Sequence, residues 1–197
     1  MGNARNSFSG VILAGGKSSR MGSPKPFIRV NGKRIIDIIL DVFSSIFDKI
    51  FIVTDDKDKF SEFKDIKIVE DVVKDCGPLG GIYTGLKAIV NPKAFFVACD
   101  MPFLHNELIV RLLDVAKEDQ ADCVVPCSDR GLEPLHAVYS KATIASLENA
   151  IRRRDFSMAN LLTQVNCKYV KAEKEESTSF ININSPEDLR NIWKSIY

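Results

Sequence analysis

The chain has 197 residues, of which 45% are hydrophobic and 27% charged, and its 27 basic and 26 acidic residues leave a net charge of +1. This composition is typical of a folded globular protein and excludes a disordered or fibrous chain. The length predicts a single domain over residues 1–197, with residues 1–8 as a flexible N-terminus. Because the chain is nearly neutral, we expect no nucleic acid partner, and any anion site must be local.

The cysteines and the hydropathy pattern bear on where the protein works. Five cysteines without a CxxC pair support neither a zinc site nor a complete disulfide framework, so we expect reduced thiols. No segment approaches the ~18 uninterrupted apolar residues that a spanning helix needs. The sequence therefore predicts a cytoplasmic protein that does not bind membranes.

Short apolar runs alternate with longer amphipathic stretches through the first two thirds of the chain. The predicted strands are Gly10 to Leu13, Lys49 to Thr54, Ile66 to Glu70, Ala94 to Cys99 and Asp122 to Pro126. The predicted helices are Ile35 to Phe47, Ile82 to Val90 and Asn106 to Asp119. This alternation predicts an α/β fold of three layers, α/β/α, around a mostly parallel sheet.

The last third is less regular, and we expect the sheet to become mixed there. Further strands are predicted at Leu135 to Tyr139, Val165 to Val170 and Phe180 to Ile183, and a helix at Ile144 to Arg154. The charged stretch from Lys171 to Glu176 is predicted to be a solvated loop or turn. Ser185, Pro186 and the acidic pair after them predict the start of a last helix that runs to near Tyr197.

The loop after the first strand has the composition of an anion site. It carries a glycine pair and three cations, namely Gly15, Gly16, Lys17, Arg20 and Lys25. A Walker A loop would require glycine where the chain has Val11, and the dinucleotide fingerprint G-x-G-x-x-G is absent from the sequence. Glycines let the main chain aim N–H groups at a ligand, and three cations suit a triphosphate. A solvated flexible loop is the alternative interpretation.

Other candidate residues follow the ends of the predicted strands, where ligands bind to open parallel sheets. Asp100 ends the fourth strand, and Mg²⁺ with phosphate oxygens is a natural partner for its carboxylate, although it could instead cap a turn before Pro102. The glycines between Cys76 and Ile82 would let the backbone approach a ligand at a helix N-terminus, or serve a tight turn. Asn182 and Asn184 flank Ile183, so their side chains point the same way, as ligand contacts or turn formers.

Five motifs in this order resemble those of one enzyme family over nearly the whole chain. They are Leu13-Ala14-Gly15-Gly16-Lys17-Ser18-Ser19-Arg20-Met21-Gly22 with Lys25, Val69-Glu70-Asp71, Gly77-Pro78-Leu79-Gly80-Gly81, Cys99-Asp100-Met101-Pro102, and Phe180 to Glu187. The first resembles the signature loop of nucleotidyltransferases with the glycosyltransferase-A-like fold. Together they resemble the molybdenum cofactor guanylyltransferase (MobA) family.

The resemblance implies transfer of GMP from GTP to the terminal phosphate of molybdenum-loaded molybdopterin, with release of pyrophosphate. It implies guanine binding at Leu13, Ala14 and Gly15, phosphate binding at Lys25, nucleotide binding at Asp71 and Asp100, and Mg²⁺ at Asp100. Gly16, Thr54 and Gly80 are further nucleotide-binding candidates, although the family often has asparagine at the position of Thr54. Some relatives have one more residue between Gly22 and Lys25.

Charge neutralisation should dominate such a reaction, because two anions must meet. We expect Lys25, Arg20 and Asp100 to be the catalytic residues, and Asn182, Asn184 and His136 to lie on the acceptor side. His136 could equally be a plain strand residue. Proteins of molybdenum cofactor biosynthesis and molybdoenzyme maturation are the expected partners.

Two other functions stay open at this point. A cytidylyltransferase of the same superfamily usually has Ala-Ala-Gly where this chain has Ala14-Gly15-Gly16. A non-catalytic accessory protein would bind nucleotide or cofactor without needing Lys25 and Asp100. The basic run from Arg152 to Arg154 either contacts the acidic cofactor or stabilises the end of a helix through its dipole.

Overall fold

A computed structural model describes residues 7–15, 24–185 and 188. Within these residues the strands are β1 (Phe8–Leu13), β2 (Arg29–Val30), β3 (Lys33–Arg34), β4 (Ile50–Thr54), β5 (Lys67–Glu70), β6 (Lys93–Ala98), β7 (Cys123–Ser128), β8 (Gly131–Leu132), β9 (His136–Ser140) and β10 (Cys167–Lys171). The helices are α1 (Ile35–Ile46), α2 (Gly77–Ala88), α3 (Asn106–Glu118), α4 (Ile144–Arg153) and α5 (Met158–Thr163). Short 3₁₀ helices lie at Lys25–Phe27, Asp58–Phe60, Lys141–Thr143 and Glu175–Phe180.

The main sheet is mostly parallel and mixed at one side. Its strands follow the order β10-β7-β9-β6-β1-β4-β5, and β8 pairs with β7. β1 is parallel to both β4 and β6, β4 is parallel to β5, and β10 is parallel to β7. β9 runs antiparallel to both β6 and β7. The predicted α/β fold with a partly mixed sheet is confirmed.

Alternating side chains of the strands supply the cores on the two faces of this sheet. On one face, Ile12, Phe95 and Val97 pack with the buried sides of α1 and α3. On the other, Val11 and Phe96 pack with the buried sides of α2 and α4. The strands therefore have apolar residues on both faces, as expected for a sheet covered by helices on both sides. No helix among the described residues is long and apolar enough to cross a membrane.

Several element boundaries differ from the prediction. The second predicted helix begins at Gly77, five residues before Ile82, because Gly77 takes a φ of +58° and Pro78 fits the first turn. β1 already includes Phe8, which is buried, so the expected flexible N-terminus does not extend to this residue. The β2–β3 hairpin, β8 and α5 were not predicted, since two-residue strands and a six-residue helix give too few positions for a periodic pattern.

The predicted strand from Phe180 to Ile183 is wrong. Phe180 ends a 3₁₀ helix, and the amide of Ile183 donates to the backbone oxygen of Asp100 at 2.7 Å rather than to a strand partner. The segment 181–184 is extended but is not part of the sheet. Phe180 and Ile183 are buried because they join the core on one face of the sheet, which produces a strand-like pattern without a strand.

The charged stretch from Lys171 to Glu176 is not simply solvated, which corrects a second expectation. Lys171 belongs to β10, and the carboxylate of Glu176 is buried and accepts hydrogen bonds from the Arg111 guanidinium at 2.9 and 2.6 Å. This ion pair lowers the pKa of Glu176 against the opposing effect of burial. It fixes the segment after β10 to α3.

The expectation that all cysteines are reduced is also corrected. The structure pairs Cys123 of β7 with Cys167 of β10 as a disulfide, and the two residues are direct neighbours in the parallel register. Cys76, Cys99 and Cys127 are free. An odd cysteine count does not exclude one disulfide, and the pairing depends on β10 lying beside β7, which periodicity alone does not reveal.

Two glycines of α2 provide a test of how tightly this helix packs on the sheet. A Cβ at Gly85 would lie 2.6 Å from the ring of Phe96, whereas one at Gly81 would meet only the end of the Leu13 side chain at 3.0 Å. Alanine favours the helix by about 1 kcal/mol over glycine, and overpacking a core costs about 1–3 kcal/mol. We expect Gly85→Ala to lower the free energy of unfolding by about 1–2 kcal/mol in urea titrations, and Gly81→Ala to leave it equal or higher. A Gly85→Ala protein more stable than Gly81→Ala would contradict this packing.

Candidate functional site

The backbone that leaves β1 is held between its two neighbouring strands. The amide of Ala14 donates to Val53 of β4 at 2.7 Å, and the oxygen of Leu13 accepts from the amide of Cys99 at 3.0 Å. Leu13 itself is buried against α2, whereas Gly15 is exposed. The chain from Leu13 to Gly15 thus presents bare backbone at the carboxyl edge of the sheet, as predicted for a ligand site.

At the end of β4 it is Asp55, rather than Thr54, that approaches this backbone. A Cβ on Gly15 would lie 3.5 Å from a carboxylate oxygen of Asp55. Thr54 is buried, and its hydroxyl accepts from the amide of Asp56 at 3.2 Å within a local turn. The hydroxyl at the position where the family often has asparagine therefore stabilises its own turn.

Asp71, after β5, organises the loop that leads into α2. Its Oδ1 accepts from the hydroxyl of Thr84 at 2.7 Å and from the amide of Val73 at 3.0 Å. Gly80 lies against this loop, where a Cβ would be 2.9 Å from the backbone oxygen of Val73 and 3.5 Å from Oδ2 of Asp71. A side chain at Gly80 would therefore displace the loop. Asp71 and Gly80, which belong to two different sequence motifs, thus lie close together.

The first turn of α2 points its backbone N–H groups toward the same edge. The N-cap residue Cys76 does not cap this helix with its side chain, and its thiol donates instead to the oxygen of Lys74. Gly77 and Pro78 are exposed. Uncapped N–H groups at a helix start carry partial positive charge and suit an anion such as phosphate.

An ion pair and a hydrogen bond join three side chains at this edge, those of Lys25, Asp100 and Asn184. Nζ of Lys25 lies 2.9 Å from Oδ2 of Asp100 and also donates to Oδ1 of Asn184. The Asp100 side chain is 13% exposed and that of Lys25 35% exposed, so the ion pair is shielded on one side and open on the other. Asp100 and Asn184, which follow Lys25 by 75 and 159 positions in the sequence, thus meet its side chain beyond the end of β6.

Three hydrogen bonds with Asp188 fix the position of Asn184 and of Ser185 after it. The amides of Asn184 and Ser185 donate to Oδ2 of Asp188 at 2.7 and 2.8 Å, while the amide of Asp188 donates to the hydroxyl of Ser185 at 3.1 Å. This is a capping box, so the predicted helix start at Ser185 is supported. The body of that helix lies outside the described residues, as do the site candidates Gly16 and Arg20 and the loop cation Lys17.

The acceptor-side role predicted for His136 is wrong. Its ring is fully buried between Phe95 and Phe180, with ring centroids 4.9 and 5.3 Å away, so it cannot contact an acceptor. Neither ring nitrogen has a hydrogen-bond partner within the described residues. Burial, with a smaller effect of His105, lowers the pKa of His136 to about 3. Asn182 and Asn184, in contrast, are exposed at the edge.

The basic run from Arg152 to Arg154 and the residue His105 both lie at helix ends. α4 ends at Arg153, and Arg154 follows in the left-handed conformation with a φ of 56°. The basic run is thus at a helix C-terminus, where the dipole favours cations. His105 precedes α3, and its ring lies 2.9 Å from the hydroxyl of Thr178.

Two residues of this edge, Asp55 and Thr84, are not among the candidates predicted from the sequence. Asp55 was one of several acidic residues after strands, and only the structure shows that it faces Gly15. Thr84 lies inside a helix, and its hydroxyl bond to Asp71 depends on how α2 packs against β5. The adjacency of Asp55 to a strand end was a usable signal, whereas nothing local marked Thr84.

The fold and the residues gathered at its carboxyl edge define an α/β nucleotidyltransferase. The chain belongs to the family of MobA-like NTP transferase domains, whose profile matches residues 10–168. It is 36% identical to a probable molybdenum cofactor guanylyltransferase from Natranaerobius thermophilus, over 94% of this chain and 95% of that one.

Solved structures show the same architecture. The crystal structure of molybdopterin-guanine dinucleotide biosynthesis protein A from Archaeoglobus fulgidus superposes with a TM-score of 0.82 at 27% identity, covering 96% of this chain and 98% of that chain. A 4-diphosphocytidyl-2C-methyl-D-erythritol synthase from Anaerococcus prevotii gives a TM-score of 0.72 at 18% identity, covering 100% and 99%. The second likeness is one of fold alone.

Burial of neutral His136 should make folding pH-dependent. The ordinary pKa of histidine is 6.5 and that of folded His136 is about 3, so below pH 6.5 the unfolded chain takes up a proton that the folded chain refuses. The free energy of unfolding then falls by up to about 1.4 kcal/mol per pH unit. We expect His136→Leu to remove this contribution, so that wild type loses about 2 kcal/mol more than the variant between pH 7.5 and pH 5.0 in urea titrations. Parallel losses in both proteins would show that His136 is not buried in neutral form.

Proposed function

We propose that the protein transfers GMP from GTP to the terminal phosphate of molybdenum-loaded molybdopterin and releases pyrophosphate. The observation that carries the proposal is the meeting of Lys25, Asp100 and Asn184 at the edge where the bare backbone of Leu13–Gly15 emerges. This places a cation, a carboxylate and an amide beside a surface suited to a flat base. The names of the similar proteins support the same reaction.

The nucleotide half of the site would lie between β6 and β5. Guanine would contact the backbone of Leu13, Ala14 and Gly15, with Gly16 extending that surface, because a purine needs close approach to the main chain. Asp71 and Gly80 shape the loop before α2, whose N-terminal N–H groups would face an anionic or polar part of the nucleotide. Thr54 supports this arrangement only through its turn, whereas the carboxylate of Asp55 lies beside Gly15.

The chemistry needs no protein nucleophile. An oxygen of the acceptor phosphate attacks the α-phosphorus of GTP, the bond between that phosphorus and the β-phosphate oxygen breaks, and pyrophosphate leaves with the electron pair. Because acceptor, triphosphate and leaving group are all anions, neutralisation and in-line placement supply most of the rate. Lys25 and Arg20 would supply cations, and Asn184 keeps the Lys25 ammonium in place.

The donor set fits Mg²⁺ only together with substrate. No group of three or more metal-ligating side chains occurs in the described part of the chain, and Asp100 is the carboxylate nearest the Lys25 cation. Mg²⁺ prefers one or two carboxylates plus waters and substrate phosphates, so Asp100 suffices if GTP provides the rest. When bound, the ion would draw charge from the phosphate oxygens. Before that, Lys25 neutralises the Asp100 carboxylate.

On the acceptor side we propose Asn182 and Asn184 as contacts with molybdopterin. The side chain of Ile183 is fully buried, and its backbone N–H donates to the backbone oxygen of Asp100. The side chains of Asn182 and Asn184, on either side of Ile183, therefore extend from a fixed segment. The proteins that deliver molybdopterin or receive the product in molybdoenzyme maturation are the proposed partners. They would approach the open side of the Lys25–Asp100 pair, since the other side is closed by the sheet.

One experiment separates this function from its two rivals. The protein is incubated with Mg²⁺, molybdopterin and each of the four NTPs in turn, and the dinucleotide product is resolved. A guanine dinucleotide with release of pyrophosphate supports the proposal. A cytosine dinucleotide would favour the cytidylyltransferase, and nucleotide binding without any product would favour the accessory protein.

Nucleotide binding should show the same preference. A site that pairs with the guanine edge leaves buried polar groups unpaired with another base, at a cost of about 1–3 kcal/mol for each group. We expect calorimetric titration to give a Kd for GTP at least about tenfold below those for CTP and ATP. Tighter binding of CTP than of GTP would contradict the guanylyl assignment.

Lys25 and Asp100 can be tested together against a matched lysine. Losing one preorganised charge typically costs about 10²–10³ in kcat, so we expect Lys25→Ala and Asp100→Asn each to lower kcat and kcat/KM by at least about 100-fold in protein that still unfolds cooperatively. As the control, Lys33→Ala removes an exposed lysine of the β2–β3 hairpin, which pairs with Asp41 of α1, and this variant should retain activity. Near wild-type turnover of Lys25→Ala would refute its role, and unfolding of Asp100→Asn would indicate a purely structural carboxylate.

A further inference from the structure

The hairpin from Ser128 to Glu133 lies at the same edge of the sheet as the proposed site. β7 runs parallel to β6, since both are antiparallel to β9, so β7 ends at Ser128 on the carboxyl edge. The chain turns there, with Gly131 paired to Ser128, and returns toward β9. The hairpin therefore borders the side of the sheet away from β1, β4 and β5.

Two contacts tie the chain after this hairpin to the segments that carry Asp100 and the two asparagines. The oxygen of Leu135 accepts from the amide of Ala98, two residues before Asp100, at 3.0 Å. His136 packs against Phe180, two residues before Asn182. Glu133, two residues before Leu135, is thus held on the same edge as the Asp100 carboxylate and the segment 182–184.

The Glu133 carboxylate is half-buried without a cationic partner. Its Oε1 accepts from the hydroxyl of Ser128 at 2.8 Å, and its amide donates to the oxygen of Pro126 at 3.0 Å. No ion pair joins Glu133 to any residue within 7–15 or 24–185, in contrast to the buried Glu176 with its Arg111. Burial raises the pKa of Glu133, which the charge of Arg130 only partly offsets. Oε2 of this oriented carboxylate has no hydrogen-bond donor among those residues.

We propose that Glu133 is an acceptor-specificity residue that binds the 2-amino-4-oxo edge of the pterin ring. This inference rests on the proposed function, which supplies a pterin acceptor. That edge presents a ring N–H and an exocyclic N–H side by side, and a carboxylate accepts two parallel hydrogen bonds of this kind. Guanine has the same edge, but it would lie near β1, on the other side of β6 from the hairpin.

The test compares two fluorescent ring systems that differ at this edge. Pterin carries the 2-amino group, whereas lumazine carries an oxo group there and presents an acceptor to the carboxylate. In fluorescence titrations at pH 7 we expect the wild-type protein to bind pterin with a Kd at least about tenfold below that for lumazine. Glu133→Gln should lose this preference, because an amide offers one acceptor and one donor.

Two further variants separate recognition from support of the hairpin. Glu118→Gln removes an exposed carboxylate at the far end of α3 and should keep the wild-type preference. Ser128→Ala removes the hydroxyl that orients Glu133 and should weaken the preference without abolishing it. Absence of any pterin preference in wild type, or a preference that survives Glu133→Gln, overturns the inference.

The same proteins are then assayed for transfer from GTP to molybdopterin. We expect Glu133→Gln to raise KM for molybdopterin by at least about tenfold while KM for GTP stays within about twofold. If wild type makes the guanine dinucleotide and Glu133→Gln has an unchanged KM, the inference fails alone. If wild type makes no guanine dinucleotide, the proposed function fails, and the pterin titrations still judge Glu133 separately.

Discussion

The ion pair between Lys25 and Asp100, with Asn184 on the same ammonium, is the contact on which the organisation of the edge depends. It joins the short helix after the first loop, the end of β6 and the segment before the last capping box. A carboxylate so little exposed would be costly without a partner, and a lysine provides one that a ligand can displace or share. Three parts of the chain that are distant in sequence therefore meet at the ammonium group of Lys25.

The sequence reveals most of the strands because their residues are apolar on both faces. Gly10 to Leu13 and Ala94 to Cys99 lie within a residue or two of β1 and β6, since buried parallel strands leave uninterrupted apolar runs. Phe180 to Ile183 has the same local pattern but forms no strand. Phe180 and Ile183 are buried in the core on one face of the sheet, and local periodicity cannot distinguish burial within a sheet from burial against its face.

The candidate site divides in a similar way. Asp71 and Asp100 could be placed at this edge from the sequence because they follow strands, and parallel strands end at one edge. His136 could not be judged in this way. Its orientation toward Phe95 and Phe180 depends on which face of β9 is covered, and the alternation that fixes this face starts only after the irregular turn at Glu133. Asp55 and Thr54 differ for the same reason, since one residue of register decides which side chain faces the loop.

The reversed direction of β9 has a consequence for how such a domain can diversify. Because β9 begins, rather than ends, at the carboxyl edge, both ends of the connection between β7 and β9 lie there, and the whole connection can lengthen or change composition without moving any strand. On the other half, the chain returns from β1 to β4 through α1 and from β5 to β6 through α2, so these loops are constrained by a helix that packs on the sheet. Sequence changes confined to this connection could thus alter the substrate that binds there, while β1, β4, β5 and their loops stay the same. That modularity would let one architecture serve enzymes that share a donor chemistry and differ in what they modify.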